Sequence, residues 1–96
     1  MGAEVFFHTA IGKTPREAFE KAREEALYDY GHSGYSGTIA EKRNYTVIEC
    51  PEGVSPTAYA DALISDGDKR VDDKWGPAGC IKVKDGAYLF FGWASS

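Results

Sequence analysis

The sequence predicts a single α+β domain over residues 1–96, a two-layer sandwich with a four-stranded mixed or antiparallel sheet and two helices on one face. Two observations lead to it: two segments combine helix-capping residues with apolar residues at helical spacing, and the remaining apolar segments show strand patterns. Their order along the chain is β-α-β-α-β-β. A length of 96 residues and a hydrophobic fraction of 43% are typical of one folded domain.

The first strand is predicted over residues 3–12, AEVFFHTAIG. Apolar residues occur at both odd and even positions, so this strand is predicted to be central in the sheet or covered on both sides.

The first helix is predicted over residues 14–31. Thr14 is a favourable N-cap, Pro15 suits the first helical position, and Glu17 completes a capping box. Gly31 suits the left-handed position that ends a helix.

The second half of the chain repeats these signals. Residues 44–50 predict a short strand, and residues 55–67 predict a helix that begins at Ser55 and ends at Gly67. Residues 80–93 predict a hairpin, because Asp85-Gly86 lies between two strand patterns.

A regular hairpin register places Ile81, Val83, Tyr88 and Phe90 on the face that the helices cover. The opposite face would be unusually aromatic for a surface exposed to water. Loops or a homodimer could cover it, or it could form the floor of a ligand pocket, with a lysine meeting an anion. The predicted interface residues are Phe6, His8, Lys82, Leu89, Phe91 and Trp93.

Charge and cysteine content exclude several classes. A net charge of −4 argues against binding of long nucleic acid, although a small phosphorylated ligand stays open. Cys50 and Cys80, without a CxxC pair, are predicted to be reduced. Neither a signal peptide nor a membrane span is predicted, so the expected location is the cytoplasm.

Catalytic and metal signals are weak. His8 and His32 are the only histidines, and neither has metal-ligand spacing to other donors, so no metal and no cofactor are predicted. No nucleophile motif is present. His32 is the best candidate for an acid or base if the chain is an enzyme acting on a nucleotide.

Residues 31–42, GHSGYSGTIAEK, are the main candidate for a ligand-binding loop, because dense glycine and hydroxyl residues can hold an anion. The alternative is a helix end followed by turns, with Tyr35 and Ile39 in the core. Trp75, in DKWGPAG, is either a stacking platform or a lid over the core. The predicted ligand-binding residues are His32, Ser33, Gly34, Tyr35, Ser36, Gly37, Thr38, Lys42, Arg43 and Trp75.

The segments GYSGTIAEK, KWGPAG and YLFFGWAS resemble those of a family of small phage-encoded proteins. The resemblance implies an accessory protein that acts in the bacterial host cytoplasm and antagonises host defence. Three functions follow as hypotheses: a homo-oligomeric protein that sequesters a small anionic or nucleotide-like ligand, an inhibitor that binds a host protein through the aromatic sheet face and the acidic first helix, and a small nucleotide-acting enzyme.

Overall fold

The computed structural model describes residues 2–30 and 36–96. The α+β class, the order β-α-β-α-β-β and the four-stranded mixed sheet are confirmed. The strands and helices are β1 (Ala3–Ile11), α1 (Pro15–Tyr30), β2 (Tyr45–Val47), α2 (Pro56–Ser65), β3 (Ala78–Lys84) and β4 (Ala87–Ser95), and a short 3-10 helix spans Ile39–Glu41.

Side-chain caps begin both α-helices as the sequence predicts. The Glu17 backbone N–H donates to Thr14 Oγ1 at 3.1 Å, and the Ala58 N–H donates to Ser55 Oγ at 3.5 Å. These bonds satisfy backbone donors that have no partner within the first helical turn. The predicted helix end at Gly31 lies outside the described residues.

The sheet has the strand order β1-β4-β3-β2, so β1 is an edge strand and not a central one. β4 pairs antiparallel with β1 along nine residues and antiparallel with β3 on its other side, while β2 pairs parallel with β3. The expectation that this strand is central or covered on both sides was wrong, because β1 has one strand neighbour and Val5, Phe7 and Ile11 on one of its faces are exposed. β4 is a central strand, and its residues 87–92 are all buried.

The two helices lie on opposite faces of the sheet, which corrects the prediction that both pack on one face. One core cluster joins α1 to Phe6 and Phe90, and the other joins α2 to Leu89 and Phe91. Adjacent residues of β4 therefore face different helices, as alternation along a strand requires. The face that seemed too aromatic for water is the one that α2 covers.

A β-bulge explains the error in the predicted hairpin register. Pairing shifts between Lys82 and Lys84, so Ile81 pairs with Leu89 instead of Phe90. The extra residue reverses the face of every β3 residue before it. Val83, predicted to be in the core, is 42% exposed.

The predicted interface set is accordingly divided between the two faces. Phe6 and His8 lie opposite Gly92 and Phe90 in the β1–β4 pairing, on the α1 face. Lys82 lies opposite Tyr88, a residue of the α1-face cluster. The remaining three residues, Leu89, Phe91 and Trp93, belong to the cluster that α2 covers. These six residues do not form one surface.

Both cysteines are free, as predicted. Cys80 is buried in the α1 cluster, and this burial raises the pKa of its thiol to about 12. Cys50 is half-buried beside the α2 cluster, and its thiol donates to the Val54 carbonyl oxygen at 3.3 Å.

Gly79 lets the Phe91 ring lie against β3. A Cβ atom at this position would lie 2.5 Å from Phe91 Cζ and 2.8 Å from Val71 Cγ1, both in buried side chains. We expect Gly79→Ala to lower the free energy of unfolding by about 1–3 kcal/mol through overpacking. Urea denaturation measures the change. Gly2→Ala is the control, since its nearest atom is Ser96 Oγ at 3.4 Å. An equal effect of the two variants would contradict the tight contact.

Candidate functional site

The segments GTIAEK and KWGPAG meet through the buried side chain of Lys42. Its Nζ donates to the carbonyl oxygens of Gly76 at 2.9 Å and of Asp73 and Lys74 at 3.3 Å each. Each of the three N–H donors of the ammonium group thus has a carbonyl acceptor. Burial lowers the pKa of Lys42, and the Asp73 charge partly opposes that shift. Lys42, predicted to balance a ligand's charge, instead fastens the two segments together.

The hydroxyl groups of the second half of the predicted loop bond within their own segment. The Ser36 N–H and Oγ donate to Glu41 Oε2 at 3.0 and 2.8 Å, and Ser36 Oγ lies 2.7 Å from Thr38 Oγ1. Thr38 Oγ1 also accepts from the Ala40 N–H and so caps the short 3-10 helix. Ile39 is fully buried, as the alternative of a helix end followed by turns predicted.

Gly37 has a structural reason to be glycine. Its φ of 72° is in the left-handed region, and its N–H donates to the Ser95 carbonyl oxygen at 2.9 Å. A Cβ atom here would collide with the Glu4 carboxylate. Any other residue would have to displace that carboxylate from the end of β1.

The other predicted ligand-binding residues do not form one described site. His32, Ser33, Gly34 and Tyr35 lie outside the described residues, and Arg43 is exposed. Trp75 is 64% exposed, with the Lys74 ammonium 5.3 Å from the ring centroid. So exposed a ring does not act as a lid over the core, whereas its use as a stacking platform stays a prediction.

Two open clefts lie between β1 and the second half of α1. One has a volume of about 650 Å³ and the other about 390 Å³. They share His8 and Asp29, and the smaller cleft reaches Ser36 and Thr38. Six of the residues that line these clefts are here called the acidic groove, namely the four carboxylates Glu4, Glu24, Glu25 and Asp29 together with His8 and Tyr28.

The acidic groove has a negative potential. It contains four carboxylates, and no lysine or arginine is among the described residues that line the two clefts. His8 Nε2 lies 2.9 Å from Glu25 Oε1, so the one histidine is engaged with a carboxylate. Tyr28 is 91% exposed, so the ring is accessible at the rim of the groove.

An apolar strip lies on the other face of β1. Val5, Phe7 and Ile11 are exposed there, with Phe7 at 42%. Their pairing partners on β4 belong to the α2 face, but α2 packs over β3 and β4. These three residues, here called the apolar strip, are therefore left uncovered by α2.

Between the acidic groove and the apolar strip runs the outer edge of β1. Gly2 and Ser96 exchange both backbone hydrogen bonds, and the Gly12 N–H donates to Gly86. Since bonded pairs alternate in an antiparallel ladder, the even-numbered residues of β1 bond to β4. The N–H and C=O groups of Val5, Phe7, Thr9 and Ile11 thus point outward, where no strand in the described chain pairs with them.

The sequence indicated the acidic first helix as a partner surface, but it did not predict that α1 forms a groove with β1. The second half of α1 contains Glu24, Glu25 and Asp29, and its last turn has no basic residue. Asp29 lies in that last turn, where the negative end of the helix dipole disfavours an acidic residue, so its presence needs a reason other than helix stability.

Among the described residues, no group of three or more histidine, cysteine, aspartate or glutamate side chains could hold a metal ion. A search of the described helices found none with the length and apolar character needed to cross a membrane. Comparison with protein-family models, curated proteins and solved structures found no match to this chain.

The Lys42 contact can be tested by replacing the ammonium group with an apolar end. We expect Lys42→Met to lower the free energy of unfolding by about 1–3 kcal/mol, because three part-buried carbonyl acceptors lose their donor while the apolar stem is kept. Arg43→Met removes a neighbouring charge that is exposed and should change stability by less than about 0.5 kcal/mol. Thermal or urea denaturation gives both values. A Lys42→Met protein as stable as Arg43→Met would contradict the structural role.

Proposed function

We propose that this chain is a non-enzymatic binding protein whose partner is another protein, and that β1 is the strand on which the partner docks. One observation carries the proposal: the outer edge of β1 lies between an exposed apolar strip and an acidic groove. Long edge strands with exposed apolar side chains invite pairing with another chain unless charge or a covering segment protects them.

The chemistry of the acidic groove favours a protein partner over the small anionic ligand. Four carboxylates repel a phosphate, and Lys42, one of the two cations predicted to balance its charge, donates to three backbone carbonyls. Ser36 and Thr38 already bond to each other and to their own segment. An anionic or nucleotide-like ligand therefore stays a prediction that depends on residues 31–35, exposed Arg43 and Trp75.

The proposed partner site on β1 differs from the partner site that the sequence predicted. An inhibitor was expected to use the aromatic sheet face, but Leu89 and Phe91 are buried beneath α2. The apolar strip is the uncovered part of that same face. Antagonism of a host protein, which the phage resemblance implies, is one role that such a surface would serve.

Two variants with equal starting exposure test this proposal. Phe7 in the apolar strip and Val83 at the bulge of β3 are each 42% exposed. We expect Phe7→Glu to abolish the complex with the cellular partner and Val83→Glu to retain it, since only Phe7 lies on β1. Native mass spectrometry of protein isolated from its own host cells measures the complex.

Two results would contradict the proposal. One is a complex that survives Phe7→Glu as well as it survives Val83→Glu. The other is a chain that carries a tightly bound nucleotide and no protein, which would favour the anionic-ligand hypothesis instead. Circular dichroism of both variants checks that each is folded.

A further inference from the structure

We infer that the occupant of the β1 edge is an extended partner segment in which arginine and apolar residues alternate, added to the sheet as a fifth strand. The inference rests on the proposed function, because it assigns the chemistry of the partner at the same strand. It follows from three features of β1: its outward backbone groups, its two unlike sides and the charge of the acidic groove.

The backbone of β1 supplies the first feature. Residues Val5, Phe7, Thr9 and Ile11 direct their N–H and C=O groups away from β4, as the bonded Gly2–Ser96 pair requires. A strand of nine residues extends about 30 Å, enough to pair with a peptide of similar length. Addition of a strand to such an edge is a common way in which domains bind peptides.

The two unlike sides of β1 determine the pattern of the partner. Successive side chains of an added strand point to opposite faces of the sheet. On one face they would meet Phe7 and Ile11 of the apolar strip, and on the other they would meet the acidic groove beside α1. A segment that alternates apolar and basic residues therefore matches both faces at once.

Arginine suits the acidic groove better than lysine. Its planar guanidinium can bond a carboxylate of Glu24 or Asp29 through two N–H groups and can stack on an aromatic ring. The Tyr28 ring, 91% exposed at the rim, offers that stacking surface. The negative end of the α1 dipole adds to the attraction for a cation.

Charge also favours a basic segment over a second copy of this chain as the occupant. Two β1 edges paired antiparallel about a two-fold axis would place both α1 helices on the same face, on either side of the new seam. Each helix would bring Glu24, Glu25 and Asp29 toward its symmetry mate. Like charges oppose such a dimer, whereas a basic segment neutralises the same groove.

The test uses the full chain and a synthetic nonapeptide in which arginine and valine alternate. Fluorescence anisotropy measures its binding at about 50 mM and about 500 mM NaCl, where screening differs strongly. Two control peptides accompany it. One has glutamate in place of each arginine, and the other has the same composition with the arginines and valines in separate blocks.

Variants of the chain separate backbone pairing from charge. We expect Thr9→Pro, which removes an outward N–H and no bond to β4, to weaken binding of the alternating peptide by about tenfold or more. Asp29→Lys should weaken binding of the alternating peptide by about threefold or more. Asp61→Lys makes the same charge change at an exposed position on α2 and should leave binding unchanged. N-methylation of alternate peptide bonds tests the same pairing without altering the protein.

The outcomes distinguish this inference from the proposed function. Equal binding of the block peptide, or binding unaffected by both Thr9→Pro and N-methylation, would overturn the added strand in favour of charge attraction alone. A dimer of this chain that Thr9→Pro dissociates would overturn it in favour of a second copy. If the alternating peptide fails while Phe7→Glu still abolishes the cellular complex, the partner chemistry is wrong and the binding function stands.

Discussion

The constraint on which the structure depends is that β4 is buried on both faces. Tyr88 and Phe90 pack toward α1, while Leu89 and Phe91 pack toward α2. A strand with aromatic side chains on both sides must be covered twice, so the two helices cannot share one face. Together they still cover only part of a four-stranded sheet. The α2 face of β1 is one part that they leave uncovered, because α2 packs against β3 and β4. Val47 of β2 and Val83 of β3 are also exposed.

This arrangement gives β1 two different sides and a free edge. The α1 side has a groove of carboxylates, and the other side exposes Val5, Phe7 and Ile11. Apart from the His8–Glu25 contact, neither feature stabilises the isolated fold: Asp29 opposes the dipole at the end of α1, and exposed apolar residues on an edge strand favour association. Features that do not stabilise the free protein have an explanation if a partner covers them in a complex. That reasoning connects the architecture to a binding role.

The sequence predicted local structure well and long-range placement poorly. Thr14 and Ser55 mark the helix starts because capping is a contact within one turn. The bulge at Val83 has no such local signal, and one extra residue was enough to put Ile81 on the wrong face. The segments GTIAEK and KWGPAG lie together through the buried side chain of Lys42, which makes a contact across more than thirty residues. The acidic groove escaped notice because it combines one helix with one distant strand.

The central claim, that the outer edge of β1 binds the partner, is tested most directly by residue-resolved hydrogen exchange. In the free protein, the amides of Phe7, Thr9 and Ile11 should exchange fast, while those of Phe6, His8 and Ala10, bonded to β4, should be protected. Addition of the alternating peptide or the purified partner should protect the odd-numbered amides and leave the even-numbered ones unchanged. Odd-numbered amides that are already protected in the free chain, or that stay unprotected in the complex, would contradict the account.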